Sequence, residues 1–191
     1  MLTLRLVLMG VFLVSVLTKL RTRQAFGEFT MAARRLGGLP ATLGTPAAAV
    51  VVAVEAGTVV MLAAPGLDGD GRAGLLLAGG LLLAFAVVLL VALRRGTAEP
   101  CRCLGGSDQP ISRRHVARNA VLVVCAVAGA AMTSTAGGAP VTLPAAALCL
   151  LGASVATGAV VLLDDLADLF RQPGADRLPM PGRPPHRRER P

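Results

Sequence analysis

Cys101 and Cys103 flank Arg102 in an arginine-rich segment. Two thiols one residue apart can close into a small ring. A strained disulfide has a more oxidising potential and exchanges readily. Arg94, Arg95, Arg113 and Arg114 lie within reach along the chain. Positive charge stabilises thiolate, the nucleophilic form of cysteine. Cys101 and Cys103 are therefore the expected exchanging pair, with Arg102 tuning the thiolate. Pro100 and Gly105-Gly106 compact the loop around them. Two other readings stay open. Zinc takes four ligands, and Asp108 and His115 would complete a set with the two thiols. A C-x-C with one histidine is a weak zinc signature, so no metal is assigned. The thiols can also be merely tolerated in a loop.

A second group of residues bears on the same chemistry. Glu55 is a carboxylate deep within an apolar run, and an ionisable group there is costly and a functional expectation by default. It can take a proton, pair with a base, or contact a quinone; a hydrogen bond between helices is the plainer alternative. Lys19, Arg118 and Asn119 are its plausible partners. His115, near a helix start, can relay a proton during thiol exchange or simply sit at the interface. Cys125 and Cys149 fall inside apolar runs, where cysteine usually packs as a small hydrophobe. Each stands about 8 residues from a span boundary, so at 1.5 Å rise both reach mid-bilayer within roughly 6 Å of depth. A second thiol pair relaying electrons is the sharper reading of these two.

Composition dictates what positions these groups. The chain is 54% hydrophobic and 16% charged, against about 25% charged in a soluble domain. A net charge of +8 would suggest nucleic acid in a soluble protein. Here the arginines lie between apolar runs, and the chain has no Trp or Tyr to stack on bases. No nucleic-acid partner is expected; the partner is a lipid bilayer. The class is an all-α polytopic membrane bundle. Spans are expected at about 2–20, 45–64, 73–93, 116–135 and 141–163, each near the ~20 residues that a bilayer needs. Asn119 to Leu163 is uncharged and too long for one span; Gly137-Gly138, Pro140 and Pro144 divide it. Arg5 and Lys19 lie near the ends of the first run, where long basic side chains can snorkel to the headgroups. The run lacks an A-x-A-like cleavage site and is read as retained.

Residues 23–38 are too polar to cross. Phe26, Phe29, Ala33 and Leu36 recur at helical spacing, which predicts an amphipathic helix, either interfacial or packed on the bundle. The bundle occupies 1–168. The Pro- and Arg-rich tail, 169–191, cannot bury a core and is expected to be disordered. With five spans, 17 of the 19 basic residues fall on one side. The positive-inside rule then puts the N-terminus outside and the C-terminus in the cytoplasm of a bacterial plasma membrane. Arginine used in place of lysine points to a GC-rich bacterial genome. The same rule places Cys101 and Cys103 in the cytoplasm, where thiols are kept reduced, and the two arguments stand in conflict.

The string R-R-G-x-x-x-P-C-R-C-L-G over 94–105, then P-I-S at 110–112 and R-N-A-x-L at 118–122, resembles the methylamine-utilisation protein MauE family, within the wider DoxX-like membrane proteins. There the motif commonly reads C-x-C-F-G; Leu104 stands here in place of Phe. Lys19 and Glu55 are similar to family positions, and the likeness runs over about 1–165. The resemblance implies an integral membrane protein that assists disulfide formation or maturation of exported redox enzymes, beside a thioredoxin-like partner. It does not imply methylamine metabolism for this member. The expected function is a membrane thiol–disulfide redox protein acting on cysteine-bearing client proteins, with a quinone as a conceivable electron acceptor. The alternative is a non-enzymatic assembly factor or scaffold whose C-x-C loop binds a client or metal. A small transporter using Glu55 is a third class.

Overall fold

Each long apolar run satisfies its own backbone as a helix, since lipid offers no hydrogen bonds to an open chain. A computed structural model of the protein describes residues 2–64, 71–96, 112–133 and 142–169, with side chains through Leu162 except that of Thr133. Six helices make up these residues: α1 Leu2–Leu20, α2 Arg23–Gly37, α3 Ala41–Ala63, α4 Arg72–Arg94, α5 Arg113–Thr133 and α6 Leu143–Leu169. All but α2 are long and apolar enough to cross a membrane. No strand occurs among the described residues.

The helix ends shift from expectation where the chain tolerates more than pattern suggests. α3 begins a turn early, with Pro40 at its N-cap position, and continues through Pro46. That proline, in the second turn, removes one backbone bond, and its ring crowds the Thr42 carbonyl. α6 runs on past Leu163 through Asp164, Asp165 and Asp168.

α1, α4 and α5 share the main core. Leu8, Val11 and Phe12 meet Leu75, Ala78 and Leu82 and, from α5, Leu122, Ala126 and Ala130. Small residues facing one another let helix backbones approach closely, which is how helices associate without a hydrophobic drive from lipid. α6 lies along α1, where Thr157 Oγ1 donates to the Val7 carbonyl at 3.4 Å. Its remaining faces are largely exposed, with Leu143, Leu148 and Val155 the most so.

α2 answers the question its composition left open. Thr22 caps it by accepting from the Ala25 N–H at 3.0 Å. Gly38, at φ 64°, closes it by donating back to the last turn, and Leu39 N–H adds a bond to the Arg34 carbonyl at 2.9 Å. Phe29, Ala32 and Leu36 are buried. Phe29 packs with Ala48 and Val52 of α3, while Leu36 packs with Leu89 and Ala92 of α4. The amphipathic helix therefore bridges α1–α3 to α4–α5, with its polar face outward.

Arg5 does not simply snorkel. Its Nη2 donates to the Met61 carbonyl in the last turn of α3 at 3.3 Å. A cation at a helix C-terminus offsets the dipole and satisfies an orphan carbonyl. Gly71, which opens α4 at φ 69°, leaves the space that the guanidinium fills; a Cβ there would overlap it. Gly71→Ala is thus expected to cost at least about 1–2 kcal/mol of left-handed backbone strain. Thermal unfolding of the purified protein in detergent measures it. In an Arg5→Ala background the steric part of the loss should disappear.

Candidate functional site

Ser15 and Lys19 are four residues apart on α1 and so share one helix face. That face meets Glu55 on α3. Lys19 Nζ donates to Glu55 Oε1 at 2.5 Å and to Ser15 Oγ at 2.8 Å. Ser15 Oγ in turn donates to the same Glu55 oxygen at 3.0 Å. The ion pair is almost fully enclosed, with the Lys19 side chain 1% and the Glu55 side chain 0% exposed. Lys19 is the chain's single lysine. Of the two places expected for it, the headgroups or Glu55, it takes the second and turns inward to the carboxylate on the neighbouring helix.

Aromatic rings complete the enclosure of the ammonium. The Phe29 centroid lies 4.6 Å from Nζ and the Phe85 centroid 5.5 Å. Ring faces attract a cation, more so when it is desolvated. Lys19 therefore meets α2, α3 and α4 through one side chain.

The fifth contributor is α5. Arg118 and Asn119, 7% and 4% exposed, line a cavity of about 20 Å³ together with Ser15, Glu55, Leu82 and Phe85. Glu55 Oε2 and Asn119 Nδ2 make no hydrogen bond among the described residues. Residues 1–132 match the family described as Methylamine utilisation protein MauE. This chain belongs to that family. The match takes in all of α1 to α4 and nearly all of α5, hence every residue of the buried cluster; α6 lies outside it. No curated protein and no solved structure matches the chain.

The other expected site residues of this MauE-family protein fall in different places. His115 is buried at the start of α5. Its Nδ1 accepts from the Ser112 backbone N–H at 3.2 Å and lies 3.0 Å from Ser112 Oγ. This is one half of a capping box, with histidine in the position usually held by Glu or Gln; the His115 N–H bonds the Ser112 carbonyl, not its hydroxyl, at 3.1 Å. An accepting Nδ1 places the ring proton on Nε2. Cys125 and Cys149 are free thiols, each half-buried. α5 packs chiefly on α4 and α6 on α1, so the two cysteines sit on helices that share no main interface. Cys101, Arg102, Cys103 and Asp108 lie outside the described residues. Among the described residues, no three His, Cys, Asp or Glu side chains gather as metal ligands would.

The cavity of about 20 Å³ beside Glu55 has room for one water. The cluster itself supports hydrogen bonding, charge stabilisation and proton exchange.

Ser15 and Phe85 were not singled out in the sequence, and Phe29 only as part of the apolar face of 23–38. Ser15 carries a signal in hindsight, standing one turn before the only lysine. The two phenylalanines read as ordinary apolar positions, and only helix packing turns their faces to the ammonium.

Proposed function

We propose that this MauE-family protein is a membrane thiol–disulfide redox protein that assists disulfide formation or maturation of exported proteins. Cys101 and Cys103 are its exchanging pair, and a thioredoxin-like protein is its redox partner. One observation carries the reading. The segment bearing the two thiols joins α4 to α5, and Lys19, Phe85, Arg118 and Asn119 all lie nearer that end of their helices. The thiol-bearing segment thus leaves α4 and enters α5 at the ends to which these four residues lie nearer, while Glu55 sits past the middle of α3 toward the other end. The family description points to methylamine utilisation; the clients that suit this chemistry are exported proteins bearing cysteines.

In the exchange, a Cys101 or Cys103 thiolate attacks a disulfide sulfur of the partner, and a mixed disulfide forms as the partner's thiolate leaves. The second loop thiolate then displaces the partner, which departs as a dithiol while the loop pair is oxidised. Two electrons move from the loop to the partner. The reverse sequence reduces the loop. The arginines around the pair favour thiolate as both attacker and leaving group. Charge bias supports a cytoplasmic loop and an outer N-terminus.

Labelling with a membrane-impermeant thiol reagent in intact cells tests side and state together. Cys125→Ala and Cys149→Ala keep the signal to the loop. Labelling only after prior reduction identifies a disulfide on the exported side, which supports oxidation of clients and reverses the orientation. Labelling only after the membrane is opened places the loop in the cytoplasm and favours electron import from cytosolic thiols. Loop thiols that never form a disulfide, within the loop or with a partner, would leave the scaffold reading in place.

A further inference from the structure

The polar wall of the small cavity carries two groups with opposite needs. Glu55 Oε2 accepts, Asn119 Nδ2 donates, and neither meets a described residue. Both residues are more than nine-tenths buried, Glu55 at 0% and Asn119 at 4%. Leaving a buried donor and a buried charged acceptor unsatisfied costs about 1–3 kcal/mol each, more for the charged group. Both residues line the same cavity of about 20 Å³. A single water needs about 10–15 Å³ of such space and two to four polar partners. Ser15 and Arg118 line the cavity as well, so the partner count is met.

We propose that this cavity binds one internal water, which accepts from Asn119 Nδ2, donates to Glu55 Oε2, and is the contact through which Glu55 exchanges a proton. The water joins α3 to α5, two helices with no main interface of their own. It therefore ties the α1–α3 side of the bundle to the α4–α5 side. The exchange itself is balanced within the site. A proton arriving on the water passes to the Glu55 carboxylate, giving a neutral acid and a neutral water. Its departure restores the carboxylate facing Lys19. The proposal does not depend on the thiol reading, since it involves no cysteine.

Infrared difference spectra after a pH jump test it, using the full chain in lipid nanodiscs prepared in ordinary and in ¹⁸O water. The expected result is an internal-water O–H stretch that moves with ¹⁸O, coupled to a change in a carboxyl band that is lost in Glu55→Gln. Asn119→Leu should abolish the water band. Val11→Leu, which narrows the cavity from its apolar wall without touching a polar group, should abolish it too and guards against misfolding of the first variant. An isotope-sensitive band that persists in both variants, or its absence from the unaltered protein, overturns the proposal.

Discussion

Lys19→Met is expected to destabilise the protein by about 3–5 kcal/mol, the cost of breaking a buried ion pair and leaving one charge behind. Glu55→Leu should lose a similar amount. The physical reason lies in what each change strands. Without Lys19, the carboxylate keeps only the Ser15 hydroxyl from its former set on α1. Without Glu55, the ammonium keeps Ser15 Oγ and the two phenylalanine rings. The double change Lys19→Met with Glu55→Leu removes both desolvation costs and fills the space with apolar atoms. It should recover most of the loss, and replacement of such a pair is often neutral or stabilising. Reversible unfolding in detergent micelles, followed by far-ultraviolet circular dichroism, gives the three values. Strictly additive single losses would show that the two residues are not coupled and would remove the pair from any account of the bundle's cohesion.

The second large effect concerns the loop. Cys101→Ser or Cys103→Ser, each alone, is expected to abolish disulfide exchange, because a resolving thiol is required to release the partner. One of the two variants should accumulate a mixed disulfide with a thioredoxin-like protein, visible as a reducible shift on a non-reducing gel. The residue that remains in that variant is the attacking cysteine. Cys125→Ala with Cys149→Ala should leave exchange intact, in keeping with their places on helices that share no main interface. A loss of exchange in that pair would revive the second thiol relay. Full exchange without either loop cysteine would end the redox reading altogether.

The bundle was legible in the chain because hydrophobic runs of bilayer length leave little choice of structure. The amphipathic character of 23–38 was legible for the same kind of reason, since Phe26, Phe29, Ala33 and Leu36 recur on one face. Whether that face met lipid or protein was not, and packing of Phe29 on Ala48 decided it. Of the basic residues near the ends of α1, Lys19 meets Glu55, one of the two fates expected for it, while the bond of Arg5 to the end of α3 was not foreseen. Snorkelling assumes a side chain with no better partner than water, and both Arg5 and Lys19 have one within the bundle. His115 stands at the helix start expected for it, where its ring accepts from the backbone of Ser112.

By itself the sequence determined the class of molecule, the number of spans, the amphipathic helix between the first two of them, and the inventory of groups able to carry chemistry. These follow from composition and period, which act along the chain. Tertiary structure alone decided which of those groups meet. Lys19 and Glu55 are 36 residues apart in the chain and in hydrogen-bond contact in space. Phe29, Phe85 and Asn119 reach the same point from three further helices. In a membrane the hydrophobic effect does not choose among helix pairings. Close packing and the need to satisfy one buried carboxylate do, and neither is a property of any single segment.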